Sequence, residues 1–161
     1  MATATHKTTK TSTPLRQDAT AMLKADHKLV SELFGQYAAS RVQSKKKELV
    51  AKICKELTVH AQLEEEIFYP AFKQALDDKK LEPEAKVEHA TLKDLISQVR
   101  DIEPDGEMFD ARITVLSEYV KHHVKEEQNE MFPKAKASKK LDLVALGIQM
   151  AARKKELLSA M

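Results

Sequence analysis

Apolar residues recur along this chain every three to four positions, in five separate runs, and each run places them on one face of a helix. Leu23, Val30, Phe34 and Tyr37 make the first stripe, with His27 in its middle. Leu49, Ile53, Leu57 and Ile67 make the second, and His60 and Glu64 fall on it. Leu92, Ile96 and Val99 make the third, which carries His89. Ile113, Leu116, Val120 and Met131 make the fourth, which carries His123 and Glu127. Leu143, Leu146, Met150 and Leu157 make the fifth.

Local signals predict where these helices begin and end. Asp18 is a good N-cap for the first, which gives out around Ser40 to Ser44. The second starts near Ser44, and Pro70 should kink or end it within a turn of Tyr69, with a short helical piece onward to about Leu76. Asp77 to Glu82 reads as a charged connection, and Pro83 suits the first turn of the third helix. Glu103-Pro104-Asp105-Gly106 is a turn, and the fourth helix runs from about Glu107 toward Phe132. Pro133 and the lysine-rich stretch to Lys140 form a connection, and the last helix runs from about Leu141 to the end.

Short connections make neighbouring helices antiparallel. The predicted architecture is all-α: an up-down four-helix bundle over residues 17–135, with an additional C-terminal amphipathic helix, 136–161, packed on it. Residues 1–16 are polar, without apolar periodicity, and read as a disordered basic arm in which nothing positions His6. Composition agrees, since Gly numbers 3 and Pro 5 while 32% of residues are charged.

A formal net charge of +2 is too small to imply nucleic acid, and no recognised binding module accompanies the basic patches. Cys54 is the only cysteine, so no intramolecular disulfide can form; a small buried residue is the expected role. No apolar run approaches the length of a membrane span, and the N-terminus lacks the apolar core of a secretory signal. A cytoplasmic protein is the expectation.

The chemistry lies in a repeat. His60-Ala-Gln-Leu-Glu64-Glu-Glu-Ile-Phe-Tyr-Pro70 and His123-Val-Lys-Glu-Glu127-Gln-Asn-Glu-Met-Phe-Pro133 both read H-x3-E-x5-P. A His and a Glu four residues apart share a helix face. Each unit is preceded by a lone His, with His27 33 residues before His60 and His89 34 residues before His123. His122 and Glu126 also read H-x3-E, but their spacing to Pro133 does not match the other unit, so the register favours His123 and Glu127. Alone on an apolar stripe, His27 would be an ordinary core histidine. Four imidazoles and two carboxylates converging at one level are different, because isolated buried charge is costly. Metal reverses that sign: carboxylates bridge two cations, and imidazoles complete the coordination. Mixed nitrogen and oxygen donors without thiolate suit non-haem Fe, Mn or Zn. Six protein ligands over two ions leave positions open for a bridge and for O2, peroxide or NO. Tyr119, one turn before His123, and Tyr69, beyond Glu64, are candidate redox-active or ligating phenols, with core packing the favoured role.

At these residues the chain resembles the hemerythrin family in its bacterial HHE cation-binding form. The resemblance spans roughly residues 18–135 and includes the Asp26-His27 and Glu88-His89 pairs. It implies a four-helix bundle with an oxo- or hydroxo-bridged centre of two non-haem irons. His27 and His60 would hold one iron, His89 and His123 the other, and Glu64 and Glu127 would bridge them. Oxygen-carrying members have two His one turn apart on the third helix, where this chain has Ala85 and Lys93 on either side of His89. They also have Asp at i+5 in the last helix, where this chain has Glu at i+4. The departures imply a more open site. They favour peroxide decomposition, oxidative or nitrosative stress response, or iron or oxygen sensing over reversible O2 carriage. A catalase-like or oxidase activity is the enzymatic alternative; a ferritin-like oxidase fits less well, since its Glu-x-x-His motif is missing from this inner face.

Overall fold

The computed structural model describes residues 17–161; the basic arm and His6 lie outside them. Helix α1 spans Ala19–Ala39 and α2 spans Gln43–Leu63. The second rod continues without a break through a wide turn, Glu64–Phe68, into α3, Tyr69–Leu76. Helix α4 spans Leu81–Ser97. Helix α5, Gly106–Glu126, passes through a second wide turn, Glu127–Met131, into α6, Phe132–Ala137. Helix α7 spans Leu143–Ser159.

The termini follow local chemistry. Asp18 caps α1, its carboxylate accepting from the Ala21 N–H at 2.9 Å and the Thr20 hydroxyl at 2.7 Å. The α4 helix starts earlier than predicted because Asp78 accepts from the backbone N–H groups of Lys80, Leu81 and Glu82. Asp142 caps α7 through the Ala145 N–H at 3.0 Å.

Neither proline ends its helix: beyond Pro70 the expected helical piece runs as far as Leu76, and Pro133, expected in a connection, is followed by helix too. In a regular helix a proline ring collides with the carbonyl four residues back. Here the preceding turn is π-helical. The Tyr69 N–H bonds to the Glu64 carbonyl and the Phe132 N–H to the Glu127 carbonyl, five residues back. The extra residue eases the carbonyls away from the ring, and each proline sits in the first turn of the continuing helix. The lysine stretch from 134 is accordingly helical as far as Ala137. The same insertion advances the buried face. Ile67, expected on the inner stripe, is only partly buried, while Phe68, Tyr69 and Phe72 are fully buried.

Helices α1, α2, α4 and α5 form the bundle, with α7 lying across α1 and α2. Gly147 permits the closest approach of α7: a Cβ there would stand 2.4 Å from the Gln17 carbonyl oxygen. Two apolar clusters fill the interior. One gathers Phe34, Ile53, Leu57, Ile96, Ile113 and Leu116 at the end where α1 turns into α2. The other gathers Leu23, Leu63, Phe68, Phe72, Phe132 and Met150 at the opposite end. Cys54 is buried in the first. No described helix is long and apolar enough to cross a membrane.

Candidate metal centre

Between the two apolar clusters lies one polar layer. His27, His60, Glu64, His89, His123 and Glu127 all meet there, each no more than 8% exposed. The four stripes deliver them because each breaks its apolar run at the same height. The ring nitrogens facing inward are all Nε2. Those of His27 and His60 lie 3.1 Å apart, and those of His89 and His123 lie 3.3 Å apart.

The carboxylates span the two imidazole pairs. Glu64 Oε1 is 3.1 Å from His60 Nε2 and 3.4 Å from His89 Nε2. Glu127 Oε1 is 2.7 Å from His123 Nε2 and 3.7 Å from His27 Nε2. None of the four oxygens has a hydrogen-bond donor in acceptable geometry. Buried carboxylate oxygens without donors are costly, and a cation is the partner that four nitrogen lone pairs and four such oxygens jointly fit.

Each imidazole is oriented from behind through Nδ1, which leaves the Nε2 lone pair pointing inward. Asp26 Oδ2 accepts from His60 at 3.1 Å, and Glu88 accepts from His123. Gln128 Oε1 accepts from His27 at 2.9 Å, and Glu65 Oε1 stands 3.4 Å from His89. The pattern is a pseudo-two-fold. The acid just before each lone His supports the His of its own unit's motif, and the residue just after each motif Glu supports the lone His of the other unit. Sequence reasoning passed over Glu65 and Gln128, although their equivalent places in the two units were a usable signal. It also missed Lys154, which reaches from α7 to Asp26 Oδ1 at 2.6 Å; nothing in the repeat points to it.

Tyr69 and Phe132 are equivalent as well. Each follows its wide turn and is brought back over its motif Glu. Phe132 stacks on His27, with ring centroids 5.9 Å apart and planes 4° from parallel. Tyr69 instead brings a hydroxyl, 3.1 Å from His89 Nε2 and 3.3 Å from His123 Nε2. Packing was its favoured role, but the hydroxyl lies at the centre, as the alternative reading of a nearby phenol had it. Tyr119 packs against the first apolar cluster. His122 points outward, its side chain 68% exposed.

Opposed charges set the protonation of the groups themselves. Burial pulls His60 down, but Glu64, Asp26 and Glu127 outweigh it and raise it to about 10. Burial likewise opposes His123, which Glu127, Glu88 and Glu64 raise to about 11. Burial and His60 lower His27 to about 4. Burial and the facing Glu64 raise Glu127 to about 8. Burial opposes ionisation of Glu64, yet His60 and its neighbours hold it well below the usual carboxylate range. Burial, with Glu127 and Glu64 alongside, pushes the Tyr69 phenol well above its ordinary value. A cavity of about 20 Å³ separates the imidazoles from an apolar wall of Val30, Leu57, Leu92, Val120 and Val124. It has room for one water-sized molecule.

Residues 18–135 match the model of the hemerythrin HHE cation-binding domain. The chain belongs to the hemerythrin HHE family. Members bind metal cations, typically iron, and this hemerythrin-like chain is a metal-binding protein on that ground and on its clustered donors. A hemerythrin HHE cation-binding domain-containing protein from Mycobacterium kansasii has the same fold, with a TM-score of 0.76, 23% identity and 89% of each chain covered. A DNA nickase from Nostoc sp. is 31% identical over 111 residues, which is 69% of this chain and 31% of that relative. The hemerythrin-like chain thus spans about a third of the nickase's length.

Proposed function

We propose that this protein holds two non-haem irons and uses them to bind or react with O2, peroxide or NO, in oxidative or nitrosative stress response or in oxygen or iron sensing in the cytoplasm. His27 and His60 would hold one iron and His89 and His123 the other, with Glu64 and Glu127 bridging. The observation that carries the reading is the pair of buried carboxylates, whose four oxygens lack donors while each carboxylate faces one imidazole from either half. Iron, when bound, supplies the redox chemistry that none of these side chains has alone. The chain's own part is to orient four Nε2 lone pairs, to keep water out with two apolar clusters, and to hold a phenolic proton on Tyr69 beside the His89/His123 half.

The cavity supports a small ligand over an organic substrate, since it admits only a molecule of water size between the imidazoles and a wall of valine and leucine. A peroxide-consuming enzyme is the alternative for the same centre. The nickase's name raises DNA as a substrate, but the donors described here are buried beyond the reach of a duplex. DNA cleavage is not assigned to this chain.

The test is an anaerobic titration with ferrous iron, with metal content measured alongside, followed by admission and removal of O2. Two irons per chain and a near-UV charge-transfer band that appears with O2 and leaves with it support a binding or sensing protein. Irreversible oxidation followed by peroxide turnover supports the enzyme. Wild-type iron stoichiometry in both His60→Ala and Glu64→Ala would remove the proposed centre.

A further inference from the structure

The two halves of the centre repeat one motif but are sealed differently. Behind His60, Asp26 is paired with Lys154, and α7 lies across that side. A fixed ammonium there repels cations. Behind His123, the equivalent acid is Glu88, and its ion-pair partners among the described residues are imidazoles, His123 and His122. His122 Nε2 stands 3.9 Å from Glu88 Oε1 and 3.7 Å from Glu126 Oε2. Ligand atoms of Glu88, His122 and Glu126 all lie within 4.8 Å of one another. Glu84, one turn before Glu88, joins Glu88 and Glu126 around a small opening of about 10 Å³, and Glu127 also lines it. Glu127 is 3% exposed, and neither of its carboxylate oxygens has a hydrogen-bond partner.

We propose that Glu84, Glu88, His122 and Glu126 form an outer station that captures a divalent cation and passes it to Glu127 and the buried centre. This rests on the reading of that centre as metal-binding. It gives a role to the second H-x3-E pair, His122 and Glu126, set one residue around the helix from the inner pair. A centre enclosed by two apolar clusters needs an entry path. Three carboxylates at a half-buried mouth raise the local cation concentration, an effect worth roughly 10- to 1,000-fold in association rate. A cation also relieves their mutual repulsion. The station is exposed at Glu84 and His122 and incomplete, so it holds its cation weakly. Glu126 and Glu127 are consecutive, so transfer exchanges one carboxylate for its neighbour, with no change of oxidation state. Any proton on an imidazole or carboxyl leaves as that group takes up the metal.

The experiment uses full-length protein stripped by a chelator, mixed with cobalt(II) alone, with the visible cobalt bands followed in a stopped-flow instrument. The variant is the triple Glu84→Gln, His122→Gln, Glu126→Gln. Glu88 is left intact because it orients His123. Circular dichroism checks the fold. The expected result is loading at least about tenfold slower at low ionic strength, with the same final cobalt per chain as wild type. The wild-type rate should fall as salt is added, and the variant's should fall much less. Equal rates overturn the station. A reduced final cobalt content also overturns it, because the three residues then belong to the resident site. Wild-type protein that takes up no cobalt overturns the metal centre itself, a failure visible before any variant is made.

Discussion

Returning cobalt(II) to chelator-stripped protein at pH 7 should release about three protons per chain. The count follows from the charges that face one another in the polar layer. Glu64, Asp26 and Glu127 overcome burial to raise His60 to about 10, and Glu127, Glu88 and Glu64 do the same for His123, to about 11. Both rings are therefore cations at pH 7, and each must lose a proton before its Nε2 lone pair can bind metal. Burial and Glu64 raise Glu127 to about 8, so its carboxyl is about nine-tenths protonated at pH 7. Burial and His60 hold His27 near 4, and it enters already neutral. One proton from each of two rings and about 0.9 from Glu127 make the total. The logarithm of the affinity should then rise by about three per pH unit near neutrality, or roughly 4 kcal/mol per unit. Calorimetric titration in buffers of different ionisation enthalpy reads the count directly. One proton or none would refute the reasoning, because it would mean the acids do not hold His60 and His123 charged.

The same shifts set the stability of the stripped protein. His60 and His123 are raised, so the stability they add is whole below about 6.5 and is lost as pH rises through about 10 and 11; Glu127's is whole below 4.5 and is lost through about 8. His27 is lowered, so its share is present above 6.5 and is lost as pH falls through about 4. Thermal melts of stripped protein should therefore peak on the mildly acid side of neutrality and weaken toward pH 9, and a flat or rising profile would contradict this. Lys154→Gln should leave Asp26 half-partnered and weaken metal at the His27/His60 half by roughly 10- to 100-fold, with Lys154→Arg recovering most of it. Competition with a chelator measures this, and superimposable wild-type and variant curves would rule out the contact as a support. Gly147→Ala puts a Cβ 2.4 Å from the Gln17 carbonyl, which should displace α7 and cost about 1–3 kcal/mol. The melting temperature should drop by roughly 2–4 °C per kcal/mol; an unchanged midpoint would show that the α1 terminus yields freely.

Much of this arrangement was legible because one period governs both packing and chemistry. Spacing of three and four puts Leu57, His60 and Glu64 on one face, so the residues that line the core also announce which polar groups are enclosed with it. The proline register separated His123, which is buried, from His122, which is not. What escaped was a change in the hydrogen-bond ladder, since hydrophobic spacing assumes a constant turn. Pro70 therefore read as a kink or an end, Pro133 as the start of a connection, and Ile67 as an inner residue. The five positions between Glu and Pro in each unit are better understood as the width of a π turn. The residue just before the proline donates to the carbonyl of the Glu, and the proline follows where a regular ladder would have failed. In an unbroken α-helix Tyr69 would point about 140° away from Glu64. The wide turn folds it back over the carboxylate, beside His89 and His123. The proline spacing that made the motif recognisable thus also carries a phenol into one half of the centre and, through Phe132, an apolar ring into the other. Lys154 adds a second asymmetry from outside the repeat, closing the half that lacks the phenol. The repeated sequence therefore builds two halves that differ in polarity, in cover and in access, and the His89/His123 half is the one with both a hydroxyl within reach and carboxylates at its mouth.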